Sequence, residues 1–310
     1  MTRLLLLAIV ICSCQAVTAE DSTAEIAALK ARISALKSEN QRLRSRLREI
    51  ADLATRAGSS PRSELVIKLE SDDWGDAAPP DVLKVLHSAA LPIWEASGSP
   101  ALHPLAVVSS SSGPLVAYKR TSDGDYRVLV NVKGRQWAQL AFQFSHEMAH
   151  ILANYRDVSN RQLWFEESIC ECASLYSLRQ MGKHWKTLPP YPNWRSYADS
   201  LTKYADDRIG KATSIPDDDL AAWYATNKAT LDADATDREL NLVVAVKLLP
   251  IFEKHRNSWT AVRSLNRGNA AENETLDRYL EAWYSRVAES DRPLVRDIAA
   301  LFMLTLPASQ

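Results

Sequence analysis

The stretch Ser145-His146-Glu147-Met148-Ala149-His150 is the most informative part of this chain. It contains two histidines four residues apart, with a glutamate directly after the first. On a helix, residues with this spacing lie about 40° apart around the axis and one turn along it, so both imidazoles reach the same ion. This HExxH pattern is typical of helices whose histidines hold zinc and whose glutamate acts as a general base. The apolar spacing around it predicts a helix over residues 137–153.

A second predicted helix, residues 163–174, follows with three carboxylates. A catalytic zinc needs three protein ligands and one open position, so one of these carboxylates is expected to be the third ligand. Glu167 and Glu171 are four residues apart and share a face, while Glu166 points about 100° away from Glu167. If Glu167 binds the ion, Glu171 can accept a hydrogen bond from the free ring nitrogen of a ligand histidine. The reverse assignment, with Glu171 as the ligand, stays open on spacing alone.

This part of the chain resembles the gluzincin metallopeptidases, a tribe of the zincins. Their pattern is HExxH followed by a helix reading roughly W-[LF]-x-E-[GAS]-x-[AC]-E, and residues 164–171, WFEESICE, match it position by position. The resemblance implies a zincin-like fold, a Zn²⁺ ion held by His146, His150 and Glu167, and Glu147 as the catalytic base. The implied reaction is hydrolysis of a peptide or protein substrate by a metal-activated water.

The resemblance covers residues 126–174, with sixteen residues between His150 and Glu167 and with Ser168 where glycine is usual. It implies that the strand before the HExxH helix, residues 126–132, forms the upper edge of the cleft and pairs with an extended peptide. No motif marks the group that would stabilise the oxyanion. The candidates for that role in the C-terminal half are His184, Tyr191, Tyr197 and Tyr224.

Two cysteines stand beside the third ligand, Cys170 and Cys172. They are two residues apart on the predicted helix and therefore about 200° apart around it. They are expected neither to pair with each other nor to chelate zinc together, and we interpret them as small core residues.

The N-terminus carries the pattern of an export signal. Residues 1–19 contain one basic residue, an apolar run of about eleven residues and a small-residue ending, which predicts a signal peptide cleaved after Ala19. The apolar run is too short for a transmembrane segment. The alternative is a lipobox that would anchor the protein at Cys14. Either route predicts a protein exported to the periplasm or secreted.

Residues 20–56 show the heptad pattern of a coiled coil, and residues 57–62 read as a linker. Isoleucine at the first seam position with leucine at the second favours a parallel dimer, and Asn40 in the seam fixes register. We therefore expect a homodimer through residues 26–53; the alternative is an amphipathic helix packed on its own domain. The seam positions are Ile26, Leu29, Ile33, Leu36, Asn40, Leu43, Leu47 and Ile50.

The rest of the chain predicts an α+β fold. A small mixed sheet and the two site helices form an expected zincin-like catalytic lobe, residues 63–184, followed by a helical lobe, residues 185–310. Further helices are predicted over residues 240–254, 276–287 and 294–304, each with apolar residues three and four apart. The predicted strands are residues 65–69, 105–108, 115–118 and 126–132.

Composition narrows the function classes. In 310 residues, 37 basic and 38 acidic side chains give a net charge of −1, so no global field favours nucleic acid. The sequence has no Gly-rich phosphate loop, which argues against a nucleotide-binding Rossmann or P-loop module. The preferred function is a zinc peptidase acting outside the cytoplasm. The rivals are a noncatalytic zinc-binding scaffold and an envelope interaction protein whose coiled coil is the function.

Overall fold

The computed structural model divides the chain after Arg62 into two units. The signal peptide, Cys14 and the linker 57–62 lie outside the described residues, as do the seam side chains of Leu47 and Ile50. The structure describes residues 19–56, 63–70, 73–157, 162–215, 219–255, 257, 259–268 and 274–306, without the side chains of residues 19–25, 44 and 47–56.

The N-terminal unit contains one long helix, α1 (Ala19–Arg56). Its length follows from the sequence, because residues 19–56 contain neither proline nor glycine to interrupt it. The heptad positions place a stripe of large apolar side chains on one side of the helix. These side chains are 51–57% exposed, and they belong to Ile26, Leu29, Ile33, Leu36 and Leu43.

The second unit, residues 63–310, begins with a small mixed sheet. Its strands are ordered β1-β2-β4-β3; β1, β2 and β4 are parallel, and β3 runs antiparallel to β4. The prediction of an α+β fold with a small mixed sheet is confirmed. The strands are β1 (Ile67–Leu69), β2 (Leu105–Ser109), β3 (Leu115–Val116) and β4 (Tyr126–Val130).

The expectation that the strand at residues 126–132 forms the upper edge of the cleft and pairs with an extended peptide is wrong. Strand β4 is paired on both sides, with β2 and with β3, and the edge is the two-residue strand β3. In its register Leu115 pairs with Leu129 and Val116 with Val128, while the backbone N–H of Ala117 donates to Arg127. Antiparallel strands bond through alternate residues, so the N–H and C=O of Val116 point away from β4. The chain therefore offers an open strand edge at Val116.

Helices make up most of the remainder. The helix that carries HExxH spans Trp137–Leu152, close to the prediction, whereas the glutamate helix continues to Trp185, eleven residues beyond the predicted end. The three predicted C-terminal helices are present, with no end shifted by more than three residues. The helices are α2 (Pro79–Ala96), α3 (Trp137–Leu152), α4 (Leu163–Trp185), α5 (Ala198–Ile209), α6 (Leu220–Ala233), α7 (Arg238–Lys254), α8 (Trp259–Val262), α9 (Leu276–Arg286) and α10 (Arg292–Leu301).

Helix α3 lies at the centre of this unit. It packs against α2, α4 and α5 and against the sheet, and nearly all of its side chains are buried, including Phe144 and Met148 on its apolar side. The histidine side is covered as well, since α4 lies against it. The hydroxyl of Ser174 on α4 donates to the backbone carbonyl of Phe142 on α3 at 2.9 Å, which ties the two helices together.

The end of α3 is fixed by its backbone. Asn154 adopts a left-handed φ of 59°, which asparagine tolerates better than most residues. The N–H of Asn154 donates to Ile151 and the N–H of Tyr155 donates to His150, the two bonds of a Schellman motif. The turn sends Tyr155 back towards β3, where its hydroxyl donates to the carbonyl of Ala117 at 2.7 Å.

Within the described residues, we find no helix with both the length and the apolar character needed to cross a membrane.

We expect the exposed stripe of α1 to pair with a second copy of the chain, because burying a heptad seam in a dimer removes its apolar side chains from water. Light scattering on the mature protein is expected to give twice the mass of one chain. The double variant Ile33→Glu/Leu36→Glu is expected to give one chain. Ser34→Glu/Ser38→Glu, which adds the same charge off the seam, serves as the control; a monomeric wild type would refute the prediction.

Candidate metal centre

The two HExxH histidines face one carboxylate of α4. The distance from Nε2 of His146 to Oε2 of Glu167 is 3.1 Å, and that from Nε2 of His150 to Oε1 of Glu167 is 3.4 Å. The side chains are 11%, 13% and 24% exposed, respectively. Two imidazole nitrogens and two carboxylate oxygens therefore converge on one small, largely buried volume.

The other ring nitrogen of each histidine also faces a carboxylate. Nδ1 of His150 lies 2.7 Å from Oε1 of Glu166, a hydrogen-bond distance, and Nδ1 of His146 lies 3.8 Å from Oε2 of Glu171. A carboxylate at Nδ1 favours the tautomer whose proton sits there, which leaves the Nε2 lone pair free. Glu166 therefore has the outer position expected of Glu171, whereas Glu171 lies beside His146 without a hydrogen bond to it.

These two outer carboxylates are held in turn by residues from the C-terminal half. The guanidinium of Arg208 on α5 donates to Oε1 of Glu171 at 2.6 Å and lies over the ring of Phe142. The amide of Asn266 donates to Oε2 of Glu166 at 2.6 Å. The sequence analysis missed both residues, and no motif marks them.

Cys170 also lies at this centre. Its Sγ and one ring nitrogen from each of His146 and His150 lie within 4.8 Å of one another, so this buried group could hold a metal ion. The interpretation of Cys170 as a plain core residue was therefore incomplete, although Cys172 is buried away from this group, as its place on the opposite side of the helix predicts. Burial raises the pKa of Cys170 to about 12, which keeps the thiol protonated and makes it a poor ligand before metal arrives.

The carboxylates and histidines of the site shift one another's pKa values. Burial by itself raises the pKa of Glu167, but the hydrogen bond from His146 and the charge of His150 outweigh it and bring this pKa down to about 2. Burial likewise works to lower the pKa of His150, but the surrounding Cys170, Glu166 and Glu167 leave it well above its ordinary value. Without metal, the centre therefore holds a negative Glu167 against at least one protonated histidine.

Glu147 stands apart from the ligand groups. Its side chain is buried, and burial raises its pKa above the ordinary value, opposed by the nearby charges of His146 and His150. The outward N–H of Val116 on β3 donates to its carboxylate. A carboxylate whose pKa is raised is a stronger base than an exposed one, and Glu147 holds this position beside the two histidines.

A cavity of about 490 Å³ opens over the centre. One wall is β3 with the neighbouring Tyr118, which is 57% exposed and stacks on Tyr155 with 5.6 Å between ring centroids. The cavity is also lined by Ala235, Thr236, Asn241 and the exposed Arg238. The site thus occupies the floor of a cleft bordered by an open strand edge.

None of the four predicted oxyanion-stabilising residues lines this cleft. His184 lines a separate groove with His87, and Tyr191 packs on Trp194. The hydroxyl of Tyr197 accepts from the N–H of Ala138 at 3.3 Å, and Tyr224 packs on Trp164. The tyrosines that do line the cleft are Tyr118 and Tyr155.

No family model matches the chain, and no curated protein is similar to it.

The metal-free protein is expected to lose stability between about pH 4.5 and pH 2. Glu167 has a folded-state pKa of about 2, below its ordinary 4.5, so its contribution is complete above pH 4.5 and disappears as pH falls through 2. The contribution corresponds to about 3 kcal/mol. Denaturant unfolding of chelator-treated protein at several pH values measures it.

In that series Glu167→Gln is expected to show a flatter pH dependence than the wild type. Glu70→Gln is the matched control, because Glu70 is 41% exposed and lies 3.9 Å from Arg127. Equal slopes for Glu167→Gln and the wild type would contradict the assignment.

Proposed function

We propose that this chain is a zinc-dependent peptidase that acts outside the cytoplasm. The observation that carries the proposal is the convergence of both Nε2 atoms on the carboxylate of Glu167, at 3.1 and 3.4 Å, on the floor of a cleft. Catalytic zinc sites use three protein ligands of this kind, imidazole nitrogen and carboxylate oxygen, and keep a fourth position open. The cleft gives that open position access to a substrate.

The donor set fits zinc in its atom types, and the proton that raises the charge of His150 in the metal-free centre would be displaced as zinc binds. Ligands must be deprotonated, and Glu167 already is over the whole physiological range. His146 and His150 have their Nδ1 atoms towards carboxylates, so Nε2 is the nitrogen available to the ion. We propose His146, His150 and Glu167 as the ligands, because both Nε2 atoms face the Glu167 carboxylate, and Cys170 is the alternative third donor.

When bound, zinc supplies a lowered pKa for a water molecule and polarises the scissile carbonyl. The chain's own contribution to the proton transfers comes from Glu147. It accepts the proton that the attacking water loses and donates it to the leaving amine, and burial makes the carboxylate a stronger base by raising its pKa. The N–H of Val116 on β3 faces this carboxylate.

The substrate is proposed to be an extended peptide. An open strand edge binds such a chain by main-chain hydrogen bonds, and β3 presents one in the wall of the cleft. With the N–H of Val116 committed to Glu147, its outward carbonyl is the acceptor left for a substrate N–H. This replaces β4 by β3 as the proposed substrate strand.

Tyr118 is the proposed oxyanion-stabilising residue. It follows β3, lines the cavity, and lies close enough to Glu166, Glu167 and His150 for their charges to act on its phenol. Burial is the main cause that raises its pKa, so the hydroxyl keeps its proton and can donate it in a hydrogen bond.

Glu147→Gln and Glu167→Ala are expected to separate chemistry from metal binding. Glu147→Gln should keep one zinc per chain and lose more than about 100-fold in peptide hydrolysis, since only the base is removed. Glu167→Ala should lose zinc and activity together. Zinc content by atomic emission and cleavage of casein or a quenched peptide measure both.

The same pair tests the rival functions. Zinc that stays stoichiometric in Glu167→Ala would refute the ligand set. Unaltered hydrolysis in Glu147→Gln would refute the mechanism, and zinc without any hydrolysis in the wild type would favour a noncatalytic scaffold. An effect lost on deletion of residues 26–53 but kept in Glu147→Gln would favour the envelope interaction protein.

Tyr118→Phe is expected to lower kcat by about 10²-fold with little change in KM, because a hydrogen bond made mainly in the transition state is removed. Tyr191→Phe, which makes the same change outside the cleft, is expected to behave like the wild type. Steady-state kinetics on one peptide compare them, and equal kcat values for Tyr118→Phe and the wild type would remove Tyr118 from the mechanism.

A further inference from the structure

One segment of the C-terminal half reaches both site helices. Asn266, in the segment 263–268 after α8, uses its backbone N–H to donate to the carbonyl of Ala153 at the end of α3, at 3.3 Å. Its side-chain amide donates to Oε2 of Glu166 on α4 at 2.6 Å. The other oxygen of Glu166 faces Nδ1 of His150 at 2.7 Å. A continuous chain of contacts therefore runs from Asn266 to a proposed zinc ligand.

A second hydrogen bond, from Tyr279, orients the side-chain amide of Asn266. The hydroxyl of Tyr279 on α9 donates to its Oδ1 at 3.3 Å, which directs the NH₂ group towards Glu166. Tyr279 is itself buried against Phe165, with 6.0 Å between ring centroids. The amide therefore has a defined donor side and a defined acceptor side.

Arginine side chains donate hydrogen bonds to several backbone carbonyls of the segment that carries Asn266. Arg286 on α9 donates to Ser264 at 3.1 Å and to Leu265 at 2.9 Å, and Arg156 donates to Gly268. A loop held at three carbonyls gives a side chain a fixed position relative to α3 and α4.

We propose that Asn266 is a positioning residue for the metal centre. It holds the Glu166 carboxylate so that His150 keeps its Nδ1 proton and turns Nε2 towards Glu167. The proposal rests on the metal site of the proposed function but not on peptidase activity. Outer groups of this kind cost about 10- to 100-fold in metal affinity when they are removed, and Asn266 acts one step further out, so the loss expected here is about tenfold.

The alternative is that Asn266 only connects the end of α3 to the segment 263–268. That role belongs to its backbone N–H, which every substitution except proline keeps. Asn266→Asp therefore separates the two roles: it keeps the shape and the acceptor for Tyr279 but replaces the donor to Glu166 by a second acceptor. A packing role predicts normal zinc affinity in this variant, and a positioning role predicts a loss.

The experiment measures the zinc affinity of the full mature chain by competition with a chromophoric chelator, alongside unfolding of the metal-free protein. Asn266→Asp and Asn266→Ala are expected to bind zinc about tenfold more weakly than the wild type. Tyr279→Phe, which removes one hydroxyl and keeps the ring, should show a smaller loss in the same direction. Asn227→Ala is the control, since Asn227 makes the same type of amide bond, to the carbonyl of Trp223, away from the cleft.

Wild-type affinity in Asn266→Asp would overturn the proposal. If the Asn266 variants fail to fold, Tyr279→Phe decides it, and unchanged affinity there overturns it. A wild type that binds zinc without hydrolysing peptides would refute only the proposed peptidase activity, and the comparison of the Asn266 variants would stay valid. A wild type that binds no zinc would overturn both.

Discussion

The contact of the Glu167 carboxylate with His146 and His150 is the constraint on which the rest of this unit depends. It requires α3 and α4 to lie side by side in one register, because both imidazoles reach one carboxylate only over a narrow range of positions. The bond from Ser174 to the backbone of Phe142 supports that register further along the helices. The long α4 then gives α5 and α7 a surface on which to pack.

This arrangement carries an electrostatic cost. The carboxylates of Glu147, Glu166, Glu167 and Glu171 lie around one centre, three of them buried, and a buried charge is stable only when it is paired or hydrogen-bonded. The partners come from several elements, with Arg208 on Glu171, Asn266 on Glu166, and the two histidines on Glu167. A metal ion of charge +2 at the centre would complete this balance, which is why we regard the outer residues as part of the site.

The cleft follows from the way the sheet ends. Strand β3 has only two residues and pairs on one side, so its other side is left open towards the histidine helix. The Schellman turn at Asn154 returns the chain to this edge and places Tyr155 on Ala117, which fixes the edge relative to α3. The strand edge is therefore fixed at the end of the helix that carries the two histidines and Glu147.

The sequence by itself determined the local features. The four-residue spacing of His146 and His150 predicted that both side chains lie on the same face of a helix. The heptads of α1 predicted a stripe of apolar side chains along one side of that helix. The roles expected of Glu167 and Glu171 came from the eight-residue motif WFEESICE, residues 164–171. What only the tertiary structure decided is every contact between distant segments: β3 as the edge, Tyr118 in the cleft, Cys170 beside the histidines, and Arg208 and Asn266 on the outer carboxylates. Asn266 stands 100 residues from Glu166 along the chain, and no periodicity connects positions so far apart, because their contact is set by the packing of the helices between them.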